Sequence, residues 1–108
     1  MLPTPADPAP GPANRGPSRE LIVFSGRLDT ADFMQWVHHR ACKLGLFGHV
    51  RPHGEAVLAD VTGPDELIDA MALCCSLGPV SSWVETVERT PATPHQIGAT
   101  AFEIRPDD

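Results

Sequence analysis

Two carboxylates, Asp29 and Asp32, stand three residues apart in the stretch Gly26-Arg27-Leu28-Asp29-Thr30-Ala31-Asp32-Phe33-Met34. An apolar run, Leu21-Ile22-Val23-Phe24, precedes the stretch, and a helical pattern follows it. A strand-to-helix turn of this kind exposes free backbone N–H groups at the positive end of a helix dipole, which is chemistry suited to an anion. The carboxylates argue the other way. Either can accept from the first-turn N–H groups as an N-cap, so that the helix end is satisfied without a ligand.

The remaining reactive side chains form no strong constellation. His38 and His39 are sequence neighbours, about 100° apart around a helix, and cannot easily share one metal. Asp29, Asp32, His38 and His53 are the set that would have to converge to give nitrogen and oxygen ligands. No His-Glu-x-x-His or Cys-x-x-Cys spacing occurs, so surface histidines and no metal or other cofactor are expected. The cysteines are Cys42, Cys74 and Cys75. An odd number with two adjacent reads as reduced thiols, Cys42 and one of the pair buried as small hydrophobes, with no plausible base beside Cys42 for nucleophilic work.

The elements that must position these groups follow from periodicity. Arg19 to Gly26 is apolar on both faces and reads as a central strand. Residues 30–44 carry Phe33, Val37, Ala41 and Leu44 as a buried helical stripe, with Gly45 as the stop. Leu46 to Arg51 and Ala56 to Thr62 read as strands joined by a tight turn at Pro52-His53-Gly54-Glu55. Gly63-Pro64-Asp65-Glu66 opens a second helix with Leu67, Ile68, Met71, Ala72 and Cys75 on its apolar face, closed by Gly78-Pro79. Ser82 to Arg89 alternates as a strand, Pro91 to Gly98 is a loop, and Thr100 to Arg105 is a last strand. The order β-α-β-β-α-β-β predicts a ferredoxin-like α+β sandwich, an antiparallel sheet of four to five strands with two helices on one face.

The 108 residues suffice for one small domain. Six of the twelve prolines fall in residues 1–18, a composition that cannot bury enough apolar surface to fold, so the expected organisation is a disordered tail over 1–18 and one domain over 19–108. A net charge of −6 argues against nucleic acid and anionic membranes as partners. No apolar run is long enough to span a bilayer, and the N-terminus lacks the regions of a signal peptide, so a cytoplasmic monomer is expected.

From Leu21 to Arg105 the chain resembles the acylphosphatase family. The matching pieces are Gly26-Arg27, Phe33, Ala41 and Leu44-Gly45-Leu46-Phe47-Gly48-His49-Val50-Arg51. They continue with Gly63, Leu77-Gly78-Pro79, Trp83-Val84-Glu85 and Phe102-Glu103-Ile104-Arg105. The resemblance implies the same sandwich fold and hydrolysis of the carboxyl-phosphate bond of small acyl phosphates. The family's turn reads roughly Gly-Arg-Val-Gln-Gly-Val-Gly-Phe-Arg; its N–H groups cradle phosphate, its last Arg clamps it, and an Asn after the second strand positions water. By that correspondence the anion loop is Arg27, Leu28, Asp29, Thr30, Ala31, Asp32 and Phe33. The catalytic Arg position is held by Met34 and the Asn position by Pro52. Thr30 and Asp32 replace the loop's later glycines.

Met34 has neither donor nor charge, and a clamp for a phosphoryl oxyanion needs both. Arg51 lies one residue from Pro52 in an extended segment, hence on the opposite face, and Arg27 matches an arginine that active members carry in addition to the catalytic one. Neither replaces the missing clamp. Three readings follow. The first is a domain that has lost acyl-phosphate hydrolysis and acts as a binding or regulatory module, with an unidentified protein partner. The second is a weak or altered acylphosphatase that still binds acyl phosphate or phosphate through the loop backbone. The third is a metal-dependent variant.

Overall fold

The computed structural model describes residues 18–93 and 102–105. Its elements run β1 (Ser18–Arg27), α1 (Thr30–Lys43), β2 (Phe47–His53), β3 (Ala56–Gly63), α2 (Asp65–Leu77), β4 (Trp83–Ala92) and β5 (Phe102–Ile104). The five strands form one sheet in the order β4-β1-β3-β2-β5. The ladders β1–β3, β1–β4 and β2–β3 are antiparallel. β5 departs from the all-antiparallel expectation and joins β2 in parallel, with Gly48 opposite Phe102 and Val50 opposite Ile104. The two helices pack on each other and on one face of the sheet.

The expected boundaries shift in a consistent way. Ser18 pairs with Gly63 and so belongs to β1, not to the tail; the rest of the expected tail lies outside the described residues. Pro52 and His53 stay in β2, which leaves only Gly54 and Glu55 as the hairpin turn. Gly54 has φ +66°, the region such a two-residue turn requires. Leu46 is not in a strand; it is 1% exposed and fills the space where α1 turns into β2. Pro91 and Ala92 extend β4 into the expected loop by pairing with Glu20 and Arg19. Residues 94–101, which held the rest of that loop and the expected start of the last strand, lie outside the described residues.

Alternation sorts β1 into a covered face and an open one. Ile22 and Phe24 point at the helices and have no exposure, whereas Leu21 and Val23 are half-buried on the other face. Phe33, Met34, Val37 and Ala41 of α1 meet Ile68, Met71, Ala72 and Cys75 of α2 over Val50, Val57, Ala59 and Val61 of the sheet. The stripes predicted for both helices face the core, with Leu44 and Leu67 only half-buried and Met34 joining Phe33. Gly48, at φ +130°, lets the β2 backbone lie so close to Asp60 that a Cβ would collide with the Asp60 carbonyl. On the open face, Arg19 forms two hydrogen bonds to the Asp60 carboxylate, at 3.0 and 2.8 Å.

Candidate functional site

The turn between β1 and α1 is built from strand termination and capping. Pairing of β1 with β4 continues to Arg27–Trp83, with a register shift at Ser25/Gly26. At Gly26 the φ is +145°, and a Cβ would run into the Trp83 carbonyl oxygen, so only glycine lets β1 and β4 stay paired here. Three residues later the chain enters α1 with Asp29 as N-cap. The Asp29 carboxylate accepts from the Asp32 N–H at 3.2 Å, and its carbonyl accepts from the Phe33 N–H at 2.7 Å. Asp29 thus occupies its own helix start, as a short acidic side chain at this position should.

A second layer of contacts comes from the turn between α2 and β4. The Asp29 N–H donates to Ser82 Oγ at 3.1 Å. The Ser81 hydroxyl donates to the Asp32 carboxylate. Both acids are therefore bound to protein groups, one as a cap and one by a serine. Sequence reading found the acids but not the serines, because Ser81 and Ser82 are 49 and 53 positions away from their partners. The available signal was weak: two adjacent hydroxyls just after Gly78-Pro79, where a turn must return the chain to the sheet.

The other expected loop residues are placed as follows. Leu28 packs against the core and Phe33 is fully buried, its ring edge-on to Phe24 with centroids 5.3 Å apart. Thr30 and Ala31 form the first turn of α1. Arg27 is exposed and, with Trp83 and Glu85, lines a shallow cleft of about 370 Å³. Val84 packs on the core, so its neighbour Trp83, 70% exposed, points to the open face of the sheet. The Arg27 guanidinium belongs to that side.

Met34 and Pro52, the residues that the family resemblance leads one to expect in place of its catalytic ones, are placed as follows. Met34 is 8% exposed and lies in the core cluster. Pro52 pairs with Val57, which pairs in turn with Phe24. It therefore sits two strands, about 10 Å, from β1 on the helix-covered face. Arg51 pairs with Leu58 and faces the other way, as alternation requires.

The remaining candidates divide. Among the described residues no group of three or more His, Cys, Asp and Glu side chains is arranged to hold a metal, so Asp29, Asp32, His38 and His53 do not assemble into one. His49 lies on the open face opposite Asp60 and Glu103. Burial lowers its pKa first, with Arg105 and Arg51 adding to the effect and Asp60 and Glu103 opposing it. Burial also pushes the Cys75 thiol up to about 12, which leaves it inert. The expectation for Cys42 is overturned: it is exposed, not buried. It also has a base beside it, His38 Nε2 at 3.6 Å from Sγ. The two are four residues apart on α1, a spacing that brings side chains together on one helix face.

The acylphosphatase family profile matches residues 20–104. An acylphosphatase of Azorhizobium caulinodans is 32% identical over 84 residues, covering 77% of this chain and 89% of its own. One of Caldivirga maquilingensis is 30% identical over 91 residues, covering 82% and 95%. Among solved structures, the acylphosphatase of Coxiella burnetii superposes with a TM-score of 0.76 at 20% identity, over 84% of this chain and 95% of that one. That of Bacillus subtilis gives 0.75 at 22%, over 82% and 98%. Full-length HypF in its phosphate- and nucleotide-bound form also matches, at 0.75 and 18%, over 84% of this chain but 12% of that one. At these identities the structural likeness speaks for the fold.

Proposed function

The chain belongs to the acylphosphatase family, and we propose that it is a member that has lost hydrolysis of acyl phosphates and serves as a binding or regulatory domain. The observation that carries the reading is chemical. Met34 and Pro52 hold the positions of the family's phosphate-clamping Arg and water-positioning Asn. Met34 is committed to the core, and Pro52 offers neither an N–H nor a polar side chain. Loss of one stabilising donor in a transition-state clamp typically costs about 10² to 10³ in rate; here a charge and an amide are missing together.

The loop supports the same reading. Its first free N–H groups are the chemistry that would hold a phosphoryl oxygen, yet the Asp32 N–H goes to the Asp29 carboxylate and the Asp29 N–H to Ser82. Asp29 and Asp32 also set negative charge where a dianion would sit. The alternative is a weak or altered acylphosphatase, and one feature favours it. The N–H groups of Thr30 and Ala31 have no intrahelical acceptor and would still meet an oxyanion.

Turnover separates the two. Purified full-length protein should hydrolyse acetyl phosphate and benzoyl phosphate no faster than buffer, within about tenfold, given the loss of both groups. Substrate loss is followed with and without added zinc or manganese. Robust turnover without metal would establish the altered enzyme, and turnover only with metal the metal-dependent variant. Monomeric state, cytoplasmic location and independence from nucleic acid belong to the same proposal. For membranes the structural fact is limited: among the described residues no helix is long and apolar enough to cross one.

A further inference from the structure

Among the described residues, His38 and Cys42 pair two reactive side chains that the loop does not use. We propose that these two residues form a two-ligand chelate for a borderline-soft divalent cation of the zinc class. The pair lies toward the opposite end of α1 from the anion loop. Cys42 is 13 residues beyond Asp29, about 20 Å along the helix axis. The proposal is therefore independent of whether the loop binds phosphate.

Three observations carry it. The first is distance. Cys42 Sγ and His38 Nε2 are 3.6 Å apart. A tetrahedral zinc ion with a Zn–S bond of about 2.3 Å and a Zn–N bond of about 2.05 Å requires a ligand separation of about 3.5 Å. The two atoms already stand at the bite that the ion needs. The second is orientation. The His38 ring is half-buried beside Phe102, centroids 6.3 Å apart and planes at 52°. The third is access. The Cys42 side chain is exposed, so a hydrated cation reaches both atoms and water completes the coordination shell.

Thiolate with imidazole is a donor set that suits zinc and excludes magnesium and calcium, which take oxygen ligands. Binding replaces the Cys42 S–H bond with an S–metal bond and passes the proton to solvent. Neighbouring groups do not compete. His39 points about 100° away around the helix, and Cys75 is buried. Among the described residues no third ligand joins the pair, so the site is labile and weaker than a four-ligand structural centre.

The test uses full-length protein, freed of any purification tag, and cadmium as a zinc analogue whose thiolate bond absorbs in the ultraviolet. Cadmium titration should give a saturable charge-transfer band that zinc competes away. Cys42→Ser should abolish the band, and Cys74→Ser should leave it. His38→Gln should raise the cadmium concentration needed by at least about tenfold, since even outer-shell partners of metal ligands change affinity by that factor. Circular dichroism checks that each variant is folded, and both ligand positions lie on the helix surface. A band unchanged in His38→Gln would show a thiol acting alone, and a band that follows Cys74 would put the metal elsewhere. Either result overturns the proposal, as does the lack of any band.

Discussion

At the scale of single residues, the question is whether this loop could still hold phosphate if its lost side chains returned. Met34→Arg with Pro52→Asn restores the two family groups by type. The double variant is expected to stay inactive, for reasons the structure sharpens. Asp29 already occupies the Asp32 N–H, and Ser81 holds the Asp32 carboxylate in place. Two unit charges about 4 Å apart repel by about 4 kcal/mol at an effective dielectric of about 20, and a dianion in this loop would face two carboxylates. Adding Asp29→Gln, Thr30→Gly and Asp32→Gly removes the repulsion and the Cβ atoms that oppose close backbone approach. That five-fold variant should bind phosphate measurably. The readout is a phosphate titration followed by amide NMR shifts of residues 27–34. Tight binding by the double variant, aspartates intact, would mean that the cradle persists and that their charge matters less than argued. The aspartates and their capping capacity were legible in sequence. The serines were not, because their contacts depend on two turns meeting across the sheet end.

At the scale of elements, α1 links the loop to the core. Phe33, the last residue of the expected loop, is fully buried, and its ring meets Phe24 of β1 edge-on. It therefore ties the direction of α1 to the strand that feeds it. Phe33→Ala should cost on the order of 3–5 kcal/mol, the usual range for emptying an aromatic site. Chemical denaturation of the variant measures it, and a cost below about 1 kcal/mol would contradict the packing described. The helical stripes were readable because apolar spacing of three and four residues leaves few alternatives. Element ends were harder. Pro52 and His53 read as turn residues, yet the strand continues through them and a two-residue turn suffices. Pro91 reads as a loop start but sits on β4, a strand paired on one side among the described residues, where a missing N–H is tolerated. Cys42 was misread because a cysteine next to Ala41 resembles part of the stripe; one step around the helix turns it to solvent, and the same step brings it onto the face of His38.

At the scale of the whole molecule, the boundary between tail and domain is set by pairing and not by proline content alone. The proline-rich composition of the first residues argues that they add no packed surface. Ser18, by contrast, pairs with Gly63, and Arg19 pairs with Thr62 and grips Asp60 with two charge-assisted hydrogen bonds. Both partners of that ion pair are largely shielded, with side-chain exposures of 20% and 16%. Two truncations on either side of this boundary should therefore behave differently. Protein beginning at Ser18 should melt within a few degrees of the full chain, because a proline-rich composition buries too little apolar surface to add to the domain. Protein beginning at Glu20 loses three ladder pairs, Ser18 with Gly63 and Arg19 with both Thr62 and Ala92, and the Arg19 guanidinium. A charged hydrogen bond contributes about 1.5–3 kcal/mol, and each 1 kcal/mol shifts the midpoint of a domain this size by about 4–8 °C. A fall of at least about 4 °C is the expected outcome. Arg19→Ala in the full chain should reproduce most of the fall, which assigns it to the ion pair and not to the loss of backbone pairing. Equal melting temperatures for the two truncations would show that β1 is anchored from Leu21 onward and that the Arg19–Asp60 pair is a surface contact of little consequence. A drop already at Ser18 would show that the proline-rich segment packs against the domain.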